Sequence, residues 1–141
     1  MIRKERGKQR YQVSDIEDLF FYTLYNFKAD WIAGEIYIRI ANRVKQLYGY
    51  DISKFKLVLR SEDIRHIFNR HFNEKVPNQK NISVNDIKNI LRLVNYCDSL
   101  ALDVKERIVF KKIFPNGEYS FVVEIDERNK RLLGKTFWIK A

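Results

Sequence analysis

Three runs of strand-forming residues close this chain, separated by two turn sequences, and that pattern limits its folds more than anything else in it. Arg107 to Phe114 is largely apolar. Pro115-Asn116-Gly117-Glu118 then breaks it with turn-forming residues. In the next run Tyr119, Phe121, Val123 and Ile125 recur every second position and share one face of a strand. Asp126 to Lys130 is a polar turn, and Lys135 to Lys140 is the last strand. Leu100-Ala101-Leu102 is read as a short first strand. Consecutive strands joined by tight turns pair antiparallel, and the apolar face of such a meander needs a cover.

The cover lies upstream. Ser14-Asp15-Ile16-Glu17 reads as a capping box, with Ser14 as N-cap, opening a helix to about Ala29. A second helix is expected from Asp30 to Tyr48, on Ile32, Ile36, Ile40, Val44 and Leu47, with Gly49 as its C-terminal cap. The β-branched run Ile36-Tyr37-Ile38 also suits a strand. Phe55 to Arg60 is a short strand or extended entry, and Ser61 is expected to cap a helix whose first turn carries Glu62 and Asp63. Val76 to Asn81 is a loop. Ser83 and Asp86 cap a further helix with Ile87, Ile90, Leu91 and Val94 on one face. Helices first and a meander last define an α+β fold with the helices on one sheet face.

Net charge narrows the partners. With 27 Lys and Arg against 18 Asp and Glu, the chain carries +9, and a polyanion is the favoured ligand. The lone Cys97, in an apolar stretch, reads as a buried structural thiol and fits a reducing, cytoplasmic setting. No apolar run approaches a membrane span. Residues 1–12 form a basic arm, read as solvated.

Both histidines fall in Arg65-His66-Ile67-Phe68-Asn69-Arg70-His71. Imidazole exchanges protons near neutral pH, and the flanking arginines suit an anion. At i, i+5 the two rings stand about 140° apart on a regular helix, so they do not share a face. His66 shares its face with Arg70 instead. The spacing is not that of a helical zinc pair, and no cysteine or acidic cluster stands near to complete a metal site. Alternation in the last strand puts Thr136, Trp138 and Lys140 on one face, and Lys135, Phe137 and Ile139 on the core side. A hydroxyl, a stacking ring and a cation on one strand face suit RNA; a plain solvated face is the alternative. Lys111-Lys112 reads either as a phosphate clamp or as protection of a strand edge. Glycine-rich phosphate loops, dinucleotide fingerprints and nucleophile elbows are absent from the sequence.

From Leu57 to Lys140 the chain resembles the phage- and toxin-associated branch of the barnase–EndoU–colicin–RelE nuclease superfamily. The resemblance rests on His66-Ile67-Phe68-Asn69-Arg70-His71, on Ile87-Lys88-Asn89-Ile90-Leu91, and on Asp98. It continues in Gly117-Glu118-Tyr119-Ser120-Phe121-Val122-Val123-Glu124 and in Lys135-Thr136-Phe137-Trp138. It implies a small α+β nuclease fold with a four-stranded antiparallel sheet; the N-terminal helices expected on one face of that sheet form a helical extension over 13–56, ahead of the nuclease-like domain over 57–141. It also implies metal-independent cleavage of RNA, tRNA among the candidates, with no cofactor. His66 and His71 match the helix histidines and Thr136 the last-strand hydroxyl. Arg65, Arg70, Lys112, Trp138 and Lys140 are the expected phosphate and RNA contacts, Lys112 and Lys140 on strand alternation and charge rather than on the resemblance. The scheme is attack of a ribose 2′-hydroxyl on the adjacent phosphate, leaving a 2′,3′-cyclic phosphate. An immunity or antitoxin protein is the implied partner, and delivery within a phage or toxin polypeptide the implied route. A non-catalytic nucleic-acid-binding module and a phage structural or interaction domain are the competing readings.

Overall fold

The computed structural model describes residues 10–71 and 79–140, and for His71 the backbone alone. These residues form an eight-stranded mixed sheet with helices packed on one face. The meander is present as expected: β5 (Ser99–Leu102), β6 (Ile108–Phe114), β7 (Gly117–Asp126) and β8 (Arg131–Lys140) pair antiparallel in that order. The sheet does not stop at four antiparallel strands. β8 continues into β3 (Lys56–Arg60), which runs parallel to it, then β2 (Lys28–Glu35), then β1 (Arg10–Val13). A two-residue strand, β4 (Gln79–Lys80), also pairs with β8.

Much of the first third therefore differs from the helical expectation. Arg10 to Val13 is an edge strand parallel to β2 rather than part of a solvated arm. The first helix, α1 (Ile16–Leu24), is shorter than expected, and its cap is Asp15 rather than Ser14: the Asp15 carboxylate accepts from the Asp18 N–H at 2.8 Å. Residues 28–35 are strand, not helix. α2 runs from Ile38 to Tyr48 and ends on Gly49, whose φ of 78° closes the last turn at Lys45. The strand alternative at Ile36–Ile38 is not realised: Ile36 and Tyr37 connect β2 to α2, and Ile38 opens the helix. Segment 13–56 thus carries β2 between its two helices.

β3 passes directly into α3 (Ser61–His71). Ser61 does not cap that helix. Its hydroxyl donates to the Phe27 carbonyl at 2.8 Å and accepts from the Ala29 N–H at 2.9 Å, tying the start of β2 to α3. The expected loop at Val76–Asn81 falls partly outside the described residues, and its Gln79 and Lys80 are strand. Ser83 and Asp86 form the expected reciprocal cap of α4 (Val84–Lys88), and α5 (Ile90–Asn95) follows. The core lies between sheet and helices. Leu57, Leu59, Phe110, Phe121 and Phe137 of the sheet meet Leu19, Ile40, Ile64, Ile67 and Ile90 of the helices, all essentially inaccessible to water. Removing so much apolar surface from water is the main force holding such a domain together. Among the described residues no helix is long and apolar enough to cross a membrane.

Candidate functional site

The site grows out of how β8 is flanked. On one edge it pairs with β7 along its whole length but for one residue. On the other, β3 covers Arg131–Leu133 and β4 covers Ile139–Lys140, and neither reaches Gly134–Trp138. α3 packs against β8 there, with Ile64 and Ile67 turned into the core and His66 and Arg70 exposed.

A β-bulge lies in the same stretch. Val122 pairs with Thr136 and Val123 with Gly134, so Lys135 has no partner on β7. A bulge inserts one residue and shifts the alternation beyond it. Leu132 and Gly134 face the core before it, and Phe137 and Ile139 face the core after it. Lys135 therefore leaves the core side, where strict alternation placed it, and joins Thr136 on the open face. Its ammonium lies 3.2 Å from Asp63 Oδ1.

The result is an open cleft of about 590 Å³ lined by Arg60, Glu62, Asp63, His66, Arg70, Lys105, Arg107, Lys135 and Thr136. Five cationic side chains face two carboxylates. Asp63, 9% exposed, accepts from Arg60 Nε at 2.8 Å through Oδ2 and pairs with Lys135 through Oδ1. Partial burial opposes the charge on Arg60, but Asp63 holds that guanidinium above its ordinary value. Burial likewise opposes ionisation of Glu62, yet hydrogen bonds from Arg10 bring it down to about 2. Arg107 donates Nε to Asp103 Oδ2 at 2.7 Å. Among the described residues His66, Arg70 and Lys105 have no ion-pair partner. The cleft thus offers an accessible imidazole, a hydroxyl and unpaired cations, a set able to bind a phosphodiester and move a proton. Among the described residues no three His, Cys, Asp or Glu side chains converge as a metal site.

Three of the residues singled out from the sequence come together here: His66 and Arg70 from α3, and Thr136 from β8. Trp138 is half-buried two positions along β8, and exposed Lys140 lies about 13 Å beyond Thr136 at the strand rise of ~3.3 Å per residue. Arg65 is turned away, donating to the Thr23 carbonyl and to Asn26 Oδ1 at the end of α1. Lys112 lies 3.6 Å from Asp98 and over the Phe114 ring, outside the cleft. The side chain of His71 is outside the described residues. Sequence reasoning passed over Arg60, Asp63, Lys105, Arg107 and Lys135. Gly134 was the available signal, because a lone glycine inside a strand pattern marks a bulge.

The fold is α+β, with an accessible histidine among cations in a cleft beside β8, a set of groups chemically suited to a phosphodiester. The chain belongs, more narrowly, to the phage-Barnase-EndoU-ColicinE5/D-RelE like nuclease3 family, whose model matches residues 35–141. The match starts at the last residue of β2, earlier than the Leu57 start of the resemblance, and takes in α2 and β3; β1 and α1 lie outside it. No curated protein and no solved structure matches the chain.

Proposed function

We propose that this nuclease-family chain is an endoribonuclease that cuts RNA by transphosphorylation without a metal ion. One observation carries the reading: the convergence of His66, Arg70 and Thr136, from elements far apart in sequence, in one cationic cleft. His66 is one of the two groups that move protons. In the forward step a base takes the proton of the ribose 2′-hydroxyl, O2′ bonds to the adjacent phosphorus, and the bond from phosphorus to O5′ breaks. An acid then protonates O5′, leaving a 2′,3′-cyclic phosphate and a 5′-hydroxyl. His71 is the candidate for the second proton-transfer role. Arg70 stabilises the charge that develops on the phosphorane, and Thr136 donates a hydrogen bond to it. Trp138 stacks an unpaired base, and Lys140 meets the backbone farther along. Arg65 and Lys112, engaged elsewhere, have no part in this scheme.

The test is incubation of the purified protein with total RNA in EDTA. New cyclic-phosphate ends are expected, and His66→Ala should slow their appearance about 10²- to 10⁴-fold, the usual worth of positioned acid–base catalysis. Cleavage by His66→Ala at the wild-type rate refutes the scheme. Intact RNA alongside retained binding makes the protein a binding module. An RNA-cutting protein also calls for a neutralising partner, so cells expressing this chain alone should lose viability.

A further inference from the structure

A polyanion entering the cleft meets two carboxylates. Asp63 is answered from within, by Arg60 and Lys135. Glu62, whose side chain is 36% exposed, is answered from outside. Arg10 of β1 donates one guanidinium nitrogen to Glu62 Oε2 at 2.7 Å and another to Oε1 at 2.8 Å. This two-pronged geometry makes the strongest kind of carboxylate pair. The same guanidinium holds Asp30 of the neighbouring strand, through Nε at 3.2 Å and a second contact. Asp30 is only 9% exposed. Arg10 is therefore pinned between a buried carboxylate behind it and the cleft carboxylate in front. The strand that carries it lies outside the span matched by the family model.

We infer that Arg10 is a charge-screening residue for RNA: β1 delivers it to the cleft rim to cancel Glu62, so that a phosphate backbone can cross. The inference rests on the RNA reading of the cleft. Without Arg10, Glu62 faces the backbone as a bare negative charge. One such charge ~4 Å from a phosphate in water weakens binding about 5-fold. A purely structural Arg10, holding β1 in place, predicts a different pattern, because removing Glu62 would then repair nothing.

The experiment titrates the full chain against a short fluorescein-labelled 2′-O-methyl RNA oligonucleotide, which 2′-hydroxyl attack cannot cut, and reads anisotropy at low salt. Arg10→Gln should weaken binding about 5-fold. Glu62→Gln alone should tighten it, and the double variant should bind at least as well as the wild type. A double variant as weak as Arg10→Gln overturns the inference and leaves the RNA reading standing. Weaker binding by Glu62→Gln also overturns it, and that variant decides the matter if Arg10→Gln does not fold. A wild-type protein that ignores the oligonucleotide overturns the RNA reading and this inference together.

Discussion

Gly134 holds the bulge of β8 in place, and adding one methyl there tests how the cleft is built. A Cβ at this position would lie 2.6 Å from Phe121 Cζ and 2.7 Å from Leu59 Cδ2. Carbon atoms rest at ~3.5–4.0 Å, so each neighbour must retreat by about 1 Å. Neither has room: both are fully buried, and the Phe121 ring already stands edge-on to Phe137, with centroids 6.1 Å apart. Overpacking a filled core costs about 1–3 kcal/mol, and two clashes with immobile side chains call for the upper end. The reduced freedom of the unfolded chain returns about 0.4–1 kcal/mol. Gly134→Ala should then lose about 2 kcal/mol, or about 8 °C in Tm for a chain of this size. Thermal unfolding followed by circular dichroism reads this directly. β8 can relieve the strain only by shifting, which would part Lys135 from Asp63, so oligonucleotide affinity should fall with stability. Melting within about 1 °C of the wild type would refute the packing account of the bulge.

Glu62 is ionised in the folded protein down to about 2, whereas its ordinary value is 4.5. The stability it contributes is therefore full above the ordinary value and lost as pH falls from there towards about 2. The decline of Tm over that window should be shallower in Glu62→Gln, and an unchanged slope would contradict the Arg10–Glu62 pairing. Burial pushes the Cys97 thiol up. An aromatic disulfide reagent at mildly alkaline pH should label it slowly until denaturant is added, and immediate labelling would show it accessible. The fork of Arg65 joins α3 to the end of α1, so Arg65→Lys, which keeps the charge, should lose about 1–2 kcal/mol much as Arg65→Ala does; full stability in the lysine variant counts against the fork.

The meander was legible because its signals are local. The turn at Pro115–Glu118, the alternation through Tyr119–Ile125 and the core positions Phe137 and Ile139 need no distant partner to be read. The caps at Ser83 and Gly49 belong to the same group. β2 was not legible. Its Asp30 is a buried carboxylate, tolerated because Arg10 and Arg131 reach it from other strands, and nothing adjacent in sequence announces them. Gly34 tells the same story: with φ of 153° it sits at a bulge, and a Cβ there would lie 2.6 Å from Leu91 Cδ2, more than fifty positions away. Of the cleft, the single-element relations were readable. His66 and Arg70 share a helix face by spacing alone. Lys135 was assigned to the wrong side because the bulge that turns it depends on pairing with β7. Arg60 and Asp63 gain meaning only where β3, α3 and β8 meet.

β8 is the middle of the sheet and the last strand in chain order. Strands β1 to β3 on one side and β5 to β7 on the other have no contact ladder with each other until β8 enters between them. The strands of both half-sheets thus precede in the chain the strand that joins them, which also brings Lys135 and Thr136. Pairings so distant in sequence form late and slowly. The cleft is therefore complete only once β8 has docked between the two half-sheets.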